Sequence, residues 1–405
     1  MNIRNASLIT LILVCTNLVA VDWPNWRGPA LNGISSESQW SLSNANIIWK
    51  ESIGVGFSSI SVSKGRIYTM GHNGLKKDGM ETVHCLDALT GKPVWADTYP
   101  AVLVDYLHEG GPCSTPTVHG DRVYTISKDG RLKCYAAATG KVFWERNMMK
   151  AAAMKKPPEW GFAGSPVVLG DKLLIEGGYT FALDKESGKD IWRSKRYRHA
   201  YGTPATFTHN GRTLIATLKT DGLVILDATD GSSVALRKWE TSFRTNSTSP
   251  IILPGGKIFV STGYHRGCAL FELEDNQLNT LWENKNLSNH MNNSVILDGH
   301  IYGFDGNSHM AGPKELVCLE LSTGKTKWRG GAELRCGSLM VASGQILALG
   351  ERGQLVEAPV STKSFEPTAE IHALRGKCWT VPVLANGFIY ARNARGDLIC
   401  VDANP

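Results

Sequence analysis

Residues 85–95 of this chain read CLDALTGKPVW, and the same eleven-residue phrase returns three more times. Residues 134–144 read CYAAATGKVFW, residues 182–192 read ALDKESGKDIW and residues 318–328 read CLELSTGKTKW. The Gly and the final Trp keep their places in every copy. Recurrence with a period of about 40 to 50 residues is typical of a repeat architecture. This recurring phrase therefore predicts that the fold is built from repeats.

Each phrase closes a longer pattern that predicts four short strands. A small residue and often a Pro open the pattern, as in Ser114-Thr115-Pro116, and an apolar run and a Gly-centred turn follow. A second strand, a second turn, the Leu-Asp strand and the Thr-Gly-Lys turn then lead to the strand that carries the Trp. Apolar runs separated by Gly and Asp turns indicate antiparallel strands. Four strands in each unit predict an all-β protein made of propeller blades.

Eight such units follow one another along the chain. They begin near Phe57, Cys113, Phe162, Tyr201, Asn246, Met291, Cys336 and Cys378. The fourth and fifth units are expected to keep the repeat Trp, as Trp239 and Trp282, although their turns have degenerated. The seventh lacks the Trp, and Phe365 stands in roughly that place. Between the second and third units, Met148 to Lys156 predicts a short helix.

The eighth unit ends where its fourth strand should begin. A suitable strand, Ile47 to Lys50, stands at the other end of the chain, and Trp49 precedes Trp95 by the usual interval. We therefore expect Ile47–Lys50 to pair with Leu398–Val401 and to close an eight-bladed β-propeller. Closure removes the open sheet edges that favour aggregation. The repeat tryptophans are expected to pack between blades, where a large ring covers about 150 to 250 Å².

This pattern resembles the PQQ-type repeat of eight-bladed propellers. That superfamily includes quinoprotein dehydrogenases and the scaffold lipoprotein of outer-membrane barrel assembly. The segment WPNWRGP at residues 23–29, with NGIS at 32–35, resembles the start of a bacterial group of exported PQQ-like propellers. The resemblance covers about residues 22 to 402. The resemblance implies an eight-bladed propeller fold, and it allows either a dehydrogenase or a scaffold function.

The beginning of the chain looks like an export signal. Residues 1–20 combine one charge at Arg4 with an apolar core and Ala20 before a polar start, which is typical of a signal peptide. Lipidation of Cys15 is disfavoured because Val14 is a poor lipobox residue. We therefore expect a single propeller domain over residues 21–405, periplasmic or extracellular and not integral to a membrane. We also expect it to be a monomer.

Charge and motifs exclude several other classes. The net charge of +6 is modest, and its densest cluster, around Arg193 to Arg198, is expected to be a solvated loop rather than a continuous nucleic-acid surface. The sequence contains no Walker loop, dinucleotide fingerprint, paired CxxC or GxSxG elbow. No HxH or HxxxH spacing favours a metal. We therefore predict neither a nucleic-acid partner nor a metal site.

The cysteines predict buried thiols rather than disulfides. Cys85, Cys134, Cys318 and Cys400 occupy one equivalent strand position in different blades. Such positions lie too far apart for a bond that needs Cα atoms within about 7 Å. Cys113, Cys336 and Cys378 stand at equivalent inner-strand openings, where a redox or soft-metal role is a minor alternative.

The candidate site is the funnel at the centre of the ring, because the loops that lead into the innermost strands converge there. The predicted lining residues are His108, Glu109, Trp160, His199, Arg244, His290, Asn292, Arg335 and Trp379. Each has a plainer alternative. The histidines would then cap loops, the arginines would pair with Glu109 or with backbone carbonyls, and Trp379 would plug the channel rather than stack on a planar ligand.

Two functions from different classes follow. The preferred one is a non-catalytic exported propeller that binds a protein or small molecule through the funnel. The alternative, implied by the resemblance, is a quinoprotein oxidoreductase of the alcohol or sugar dehydrogenase type with PQQ and Ca²⁺ in the funnel. That family uses a vicinal disulfide and a Glu, Asn and Asp set around calcium. The chain has no adjacent cysteines, and Glu109, Asn292 and Asn293 do not match that set one by one.

Overall fold

A computed structural model describes residues 21–405, and the predicted signal peptide lies outside these residues. The chain begins with two strands that belong to the last two blades, β1 (Ile34–Ser35) and β2 (Asn46–Ser52). Eight sheets then follow the sequence around a ring, each running from an inner to an outer strand. The predicted eight-bladed, four-stranded propeller is thus confirmed.

The first four blades contain strands β3 to β18. Blade 1 has β3 (Ser61–Ser63), β4 (Arg66–His72), β5 (Met80–Asp87) and β6 (Pro93–Pro100). Blade 2 has β7 (Thr117–His119), β8 (Arg122–Ile126), β9 (Arg131–Ala136) and β10 (Val142–Asn147). Blade 3 has β11 (Val167–Leu169), β12 (Lys172–Gly177), β13 (Tyr179–Asp184) and β14 (Asp190–Arg193). Blade 4 has β15 (Ala205–His209), β16 (Arg212–Lys219), β17 (Gly222–Asp227) and β18 (Ser233–Lys238).

The remaining four blades contain strands β19 to β33. Blade 5 has β19 (Ile251–Leu253), β20 (Lys257–Thr262), β21 (Gly267–Glu274) and β22 (Gln277–Asn284). Blade 6 has β23 (Val295–Leu297), β24 (His300–Asp305), β25 (Glu315–Glu320) and β26 (Thr326–Gly330). Blade 7 has β27 (Ser338–Ala342), β28 (Gln345–Leu349), β29 (Gln354–Pro359) and β30 (Ala369–His372). Blade 8 has β31 (Val383–Ala385), β32 (Phe388–Arg392) and β33 (Asp397–Asp402).

Helical structure in the described residues is confined to three short pieces. The predicted helix after blade 2 is only four residues long, α1 (Met148–Ala151), and Asn147 caps it by accepting a hydrogen bond from the Lys150 amide. Two 3₁₀ turns cover Pro254–Gly256 and Ala332–Leu334. None of the helices in residues 21–405 is long and apolar enough to cross a bilayer.

The ring closes as the sequence predicts. Strand β2 is the outer strand of blade 8 and pairs antiparallel with β33, with Ile47 opposite Val401 and Lys50 opposite Ile399. A register shift between Ile47 and Trp49 repeats the irregularity found beside the outer strand of other blades. The N-terminal strand therefore reproduces the geometry of a native outer strand and completes the fourth position of blade 8.

The repeat tryptophans join neighbouring blades. The ring of Trp144 covers Gly188 in the turn of the next blade, where an added Cβ would lie 2.7 Å from the indole. The indole Nε1 also donates to the Lys185 carbonyl at 3.2 Å. Trp49, Trp95, Trp192 and Trp282 repeat both contacts. The turn Gly is required because it has positive φ and because the ring leaves little room for a side chain.

Two predicted equivalences in this pattern are wrong. In blade 4, Ala235 lies opposite Ile225, at the position that the repeat Trp occupies in other blades. Trp239 comes after strand β18 and is completely buried. Its Nε1 donates to Thr262 Oγ1 at 2.8 Å. In blade 7 Phe365 precedes β30 and stacks on Trp328 with ring centroids 6.1 Å apart. It therefore extends the packing of the preceding blade instead of filling the Trp position.

All eight cysteines of the described residues are free. Cys85, Cys134, Cys318 and Cys400 are completely buried. Each lies between a Tyr on the second strand and a repeat Trp on the outer strand, as Cys134 does between Tyr124 and Trp144. Burial raises the pKa of the Cys134 thiol to about 11, so this thiol stays protonated near neutral pH.

Candidate functional site: an aromatic funnel with an N-terminal floor

A belt of hydrogen bonds holds the openings of the inner strands together. In each link a backbone amide donates to a side-chain oxygen at the same place in the next blade. The links run from Ser59 to Thr115, from Thr115 to Ser165, from Ser165 to Thr203, from Thr203 to Ser249 and from Ser249 to Asn293, with distances of 3.3, 3.0, 2.9, 3.1 and 3.1 Å. The small polar residue that opens these repeats therefore fixes the spacing between neighbouring inner strands.

The segment before β2 crosses the channel at the centre of the ring. Trp23 forms a backbone bridge with Val62 of blade 1, and the Pro24 carbonyl accepts from the Val118 amide of blade 2 at 2.8 Å. On the other side of the ring, the buried Arg27 donates to the Ser294 carbonyl of blade 6 at 2.9 Å. We call residues 23–33 the floor segment. It carries the WPNWRGP motif and spans the channel from blade 2 to blade 6.

Next to the floor segment lies a cavity with ≈ 1080 Å³ of empty space, counting the part that is open to solvent. Five of the nine predicted residues line it: His108, Trp160, His290, Asn292 and Trp379. They come from the loops of blades 1, 2, 5 and 7, which lead into the inner strands of the blades that follow. The structure therefore brings together side chains that lie far apart in the sequence.

The other four predicted residues lie outside this lining. Glu109 pairs with Lys377 at 3.0 Å, and Arg335 pairs with Glu351 at 2.9 Å. Arg244 is exposed, and its backbone has a φ of 57°. His199 packs edge-on against Phe162 and Tyr201, behind the wall. A direct ligand contact by these four residues stays a prediction.

Trp379 is held by neighbours around its ring. Phe57 stacks on it with ring centroids 5.2 Å apart, and Lys377 Nζ lies 4.4 Å from the ring centroid. Its Nε1 donates to Glu351 Oε1 at 2.9 Å. This arrangement favours the alternative in which Trp379 forms part of the channel wall rather than a free stacking surface.

The further lining residues include four aromatic side chains that the sequence reasoning did not assign to the funnel: Trp26, Phe57, Tyr264 and His309. Phe57 opens the first unit, and its place in the repeat was a usable signal. Tyr264 and His309 come from turns between second and third strands, which bend back to the funnel mouth. Trp26 lies in a motif that the sequence singled out without a structural role.

The histidines of the lining are held neutral. Burial, with smaller effects from Lys128 and Lys377, lowers the pKa of His108 to about 4. Burial and the neighbouring His309 lower the pKa of His290 to about 3. His290 Nε2 lies 3.2 Å from the Tyr264 hydroxyl. Within residues 21–405 the lining contains no Lys, Arg, Asp or Glu, so this wall offers hydrogen bonds without formal charge at neutral pH.

The cysteines at the openings differ in exposure. Cys113 lines the cavity, whereas Cys336 and Cys378 are buried. Burial raises the pKa of the Cys113 thiol, and its Sγ donates to the Gly111 carbonyl at 3.8 Å. The environment therefore disfavours the thiolate that nucleophilic or metal chemistry needs.

The residues of the funnel do not fit PQQ with calcium. Calcium takes several oxygen ligands, usually including carboxylates, and the nearby Glu109 and Glu351 are already paired with Lys377 and Arg335. Across residues 21–405, no group of three His, Cys, Asp or Glu side chains is placed to hold a metal. The carboxylates of PQQ would also find no cation among the described lining residues.

An eight-bladed ring whose repeat tryptophans cover the turn of the next blade defines a PQQ-like propeller. A family profile described as outer membrane protein assembly factor BamB matches residues 79–330. Because this is more than half of the chain, the protein belongs to that family.

Curated relatives match over short stretches. Quinoprotein ethanol dehydrogenase of Pseudomonas putida is 27% identical over 154 residues, which cover 33% of this chain and 22% of the relative. Methanol dehydrogenase [cytochrome c] subunit 1 of Methylobacterium organophilum is 34% identical over 90 residues, which cover 22% of this chain and 13% of the relative. The chain thus spans less than a quarter of the length of these relatives.

Solved structures share the architecture. BamB from Moraxella catarrhalis superposes with a TM-score of 0.61 at 16% identity, over 89% of this chain and 98% of the other. Quinohemoprotein alcohol dehydrogenase from Comamonas testosteroni gives a TM-score of 0.64 at 14% identity, over 94% of this chain and 80% of the other. At these identities the comparison establishes the fold alone.

Proposed function

We propose that the protein is an exported binding module that takes a small molecule or a protein side chain into its funnel without chemical change. The observation that carries the proposal is the cavity itself: aromatic and neutral polar side chains from most of the ring converge on one concave space. Ligand sites are concave, mostly apolar and supplied with a few polar groups. The family description, an assembly factor, supports a binding role.

The alternative is a quinoprotein oxidoreductase that uses PQQ and Ca²⁺. The sequence matches to quinoprotein dehydrogenases favour it, while the uncharged lining and the paired glutamates count against it. A dehydrogenase of this kind would oxidise an alcohol or a sugar and pass the electrons to an acceptor. We rank it second because the residues around the funnel do not supply ligands for the cation.

A titration with PQQ and CaCl₂ separates the two functions. The readouts are absorbance of retained quinone, thermal shift, and reduction of an artificial dye with ethanol or glucose as substrate. We expect no retained quinone and no dye reduction. A matched variant, Ala163→Trp, fills the cavity from its wall and serves as the blocked control. Dye reduction that requires PQQ and disappears in this variant would make the protein an enzyme.

Export remains part of the proposal. The signal-like residues 1–20 and the family description both support a periplasmic or extracellular location. We expect the native protein to begin at or near Val21 and to be monomeric. N-terminal sequencing and size-exclusion chromatography of native material test these expectations, and an intact Met1 would contradict export by this route.

A further inference from the structure

The floor of the funnel presents an indole that no other ring of residues 21–405 covers. Trp379 lies beside Phe57 and Lys377, and Trp160 stacks on Tyr106 with centroids 6.0 Å apart. Trp26 is the third lining indole, and within the described residues it forms no aromatic pair. Trp26 is half-buried and packs against the hydrophobic core, but no aromatic ring of the described residues is stacked on it.

Trp26 is fixed in position by its neighbours in the floor segment. Trp23 is 2% exposed and anchors the segment to blade 1, while Arg27 reaches the Ser294 carbonyl in blade 6. Arg27 also donates to the Leu31 and Asn32 carbonyls at 2.9 and 2.8 Å. These contacts hold the backbone on either side of Trp26, so its position across the channel does not have to be ordered by a ligand.

A polar wall stands beside this floor. His290 is 8% exposed, and its Nδ1 has no hydrogen-bond partner in the described part of the chain, although its Nε2 contacts the Tyr264 hydroxyl. Thr245 and Ser249 line the same cavity; the Thr245 hydroxyl also donates to the Phe243 carbonyl, and the Ser249 hydroxyl accepts from the Thr203 amide. The wall thus offers several neutral hydrogen-bonding groups to one occupant.

We infer that the funnel binds a neutral saccharide ring, with Trp26 stacking on its apolar face and the His290–Tyr264 wall binding its hydroxyls. This inference rests on the proposed function and names its ligand class. A saccharide combines an apolar ring face with several hydroxyls, which matches the two surfaces. An anionic ligand finds no cation among the described lining residues, and a purely apolar ligand would remove water from the polar side chains of this wall without replacing its hydrogen bonds.

The test uses isothermal titration calorimetry with cellotriose, maltotriose and methyl β-D-glucopyranoside, and with sodium glucuronate as the charged comparison. We expect at least one neutral saccharide to bind, and glucuronate to bind at least about tenfold more weakly. Trp26→Ala should lower the affinity for that saccharide about tenfold, a loss of the size expected for aromatic stacking and lost contact area. Trp26→Phe should retain part of the affinity.

Two controls keep the result interpretable. Phe143→Ala removes an exposed ring on the outer strand of blade 2 and should leave binding unchanged. Circular dichroism and the melting temperature report whether Trp26→Ala remains folded, and Trp26→Phe carries the test if it does not. Wild-type affinity in both Trp26 variants would overturn the inference.

The outcomes also separate this inference from the proposed function. If none of the neutral saccharides binds while another small molecule binds wild type and not Ala163→Trp, the saccharide inference is wrong and the binding role stands. If no ligand from a thermal-shift library distinguishes wild type from Ala163→Trp, both fail.

Discussion

At the scale of single residues, the repeat tryptophans connect one blade to the next. Five of these rings cover a turn glycine and donate to a nearby carbonyl, so one side chain both fills space and forms a hydrogen bond. Sequence spacing alone predicted their structural role. It did not separate Trp239 from the others, because the position in a repeat is defined by strand pairing and not by the number of intervening residues.

Trp144→Ala is expected to destabilise the protein by about 3 kcal/mol, the lower end for a large-to-small change, because Trp144 is half-buried. The substitution uncovers Gly188 and removes the hydrogen bond to Lys185. Urea denaturation measures the change in the free energy of unfolding. Phe143→Ala, next to it but 42% exposed, is the matched control and should have a much smaller effect. An unchanged midpoint for Trp144→Ala would contradict the packing between blades.

Buried histidines make stability depend on pH. Burial, with a smaller effect from Lys219, lowers the pKa of His199 to about 3, whereas the unfolded value is near 6.5. Below about pH 6.5 the unfolded chain binds a proton that the folded state does not, so stability falls as the pH decreases towards 3. His199→Leu should reduce this fall between about pH 6.5 and 4. Urea midpoints at several pH values measure it, and equal slopes in both proteins would exclude His199 as a cause.

At the scale of elements, the floor segment depends on a tight turn beside Trp23. Gly28 has a φ of +77°, and an added Cβ would lie 2.7 Å from the Trp23 ring. The WPNWRGP motif was recognisable in the sequence. Its place across the channel was not, because that place depends on contacts with blades 1, 2 and 6 that no local pattern encodes.

Gly28→Ala is expected to loosen the floor segment, because the methyl group clashes with the indole in addition to the strain of positive φ. Limited proteolysis should show faster cleavage within residues 23–33. Gly120→Ala is the matched control: Gly120 also has positive φ, at +64°, but an added Cβ would meet no described atom within 4 Å. Equal protease resistance of wild type and Gly28→Ala would show that the clash is relieved without moving the segment.

At the scale of the whole molecule, the repeat made the blade number, the four-stranded sheets and the ring closure predictable. The position of the funnel followed from the same geometry, and five of the nine predicted residues line it. Of the remaining four, Arg244 is exposed, and the other three are turned away by ion pairs or aromatic packing that the sequence does not reveal. Glu109 and Arg335, for example, are held by Lys377 and Glu351.

The pairing of β2 with β33 also means that blade 8 can be completed only after the rest of the ring has been synthesised. Strand β2 is synthesised long before its partner β33, so their pairing has to wait while every intervening blade emerges. Contacts between such distant segments form slowly, and an unpaired strand edge is open to association with other chains. Until β33 has been synthesised, the unpaired edge of β2 is open to association with other chains. The nascent chain therefore needs protection by the cell most during that interval.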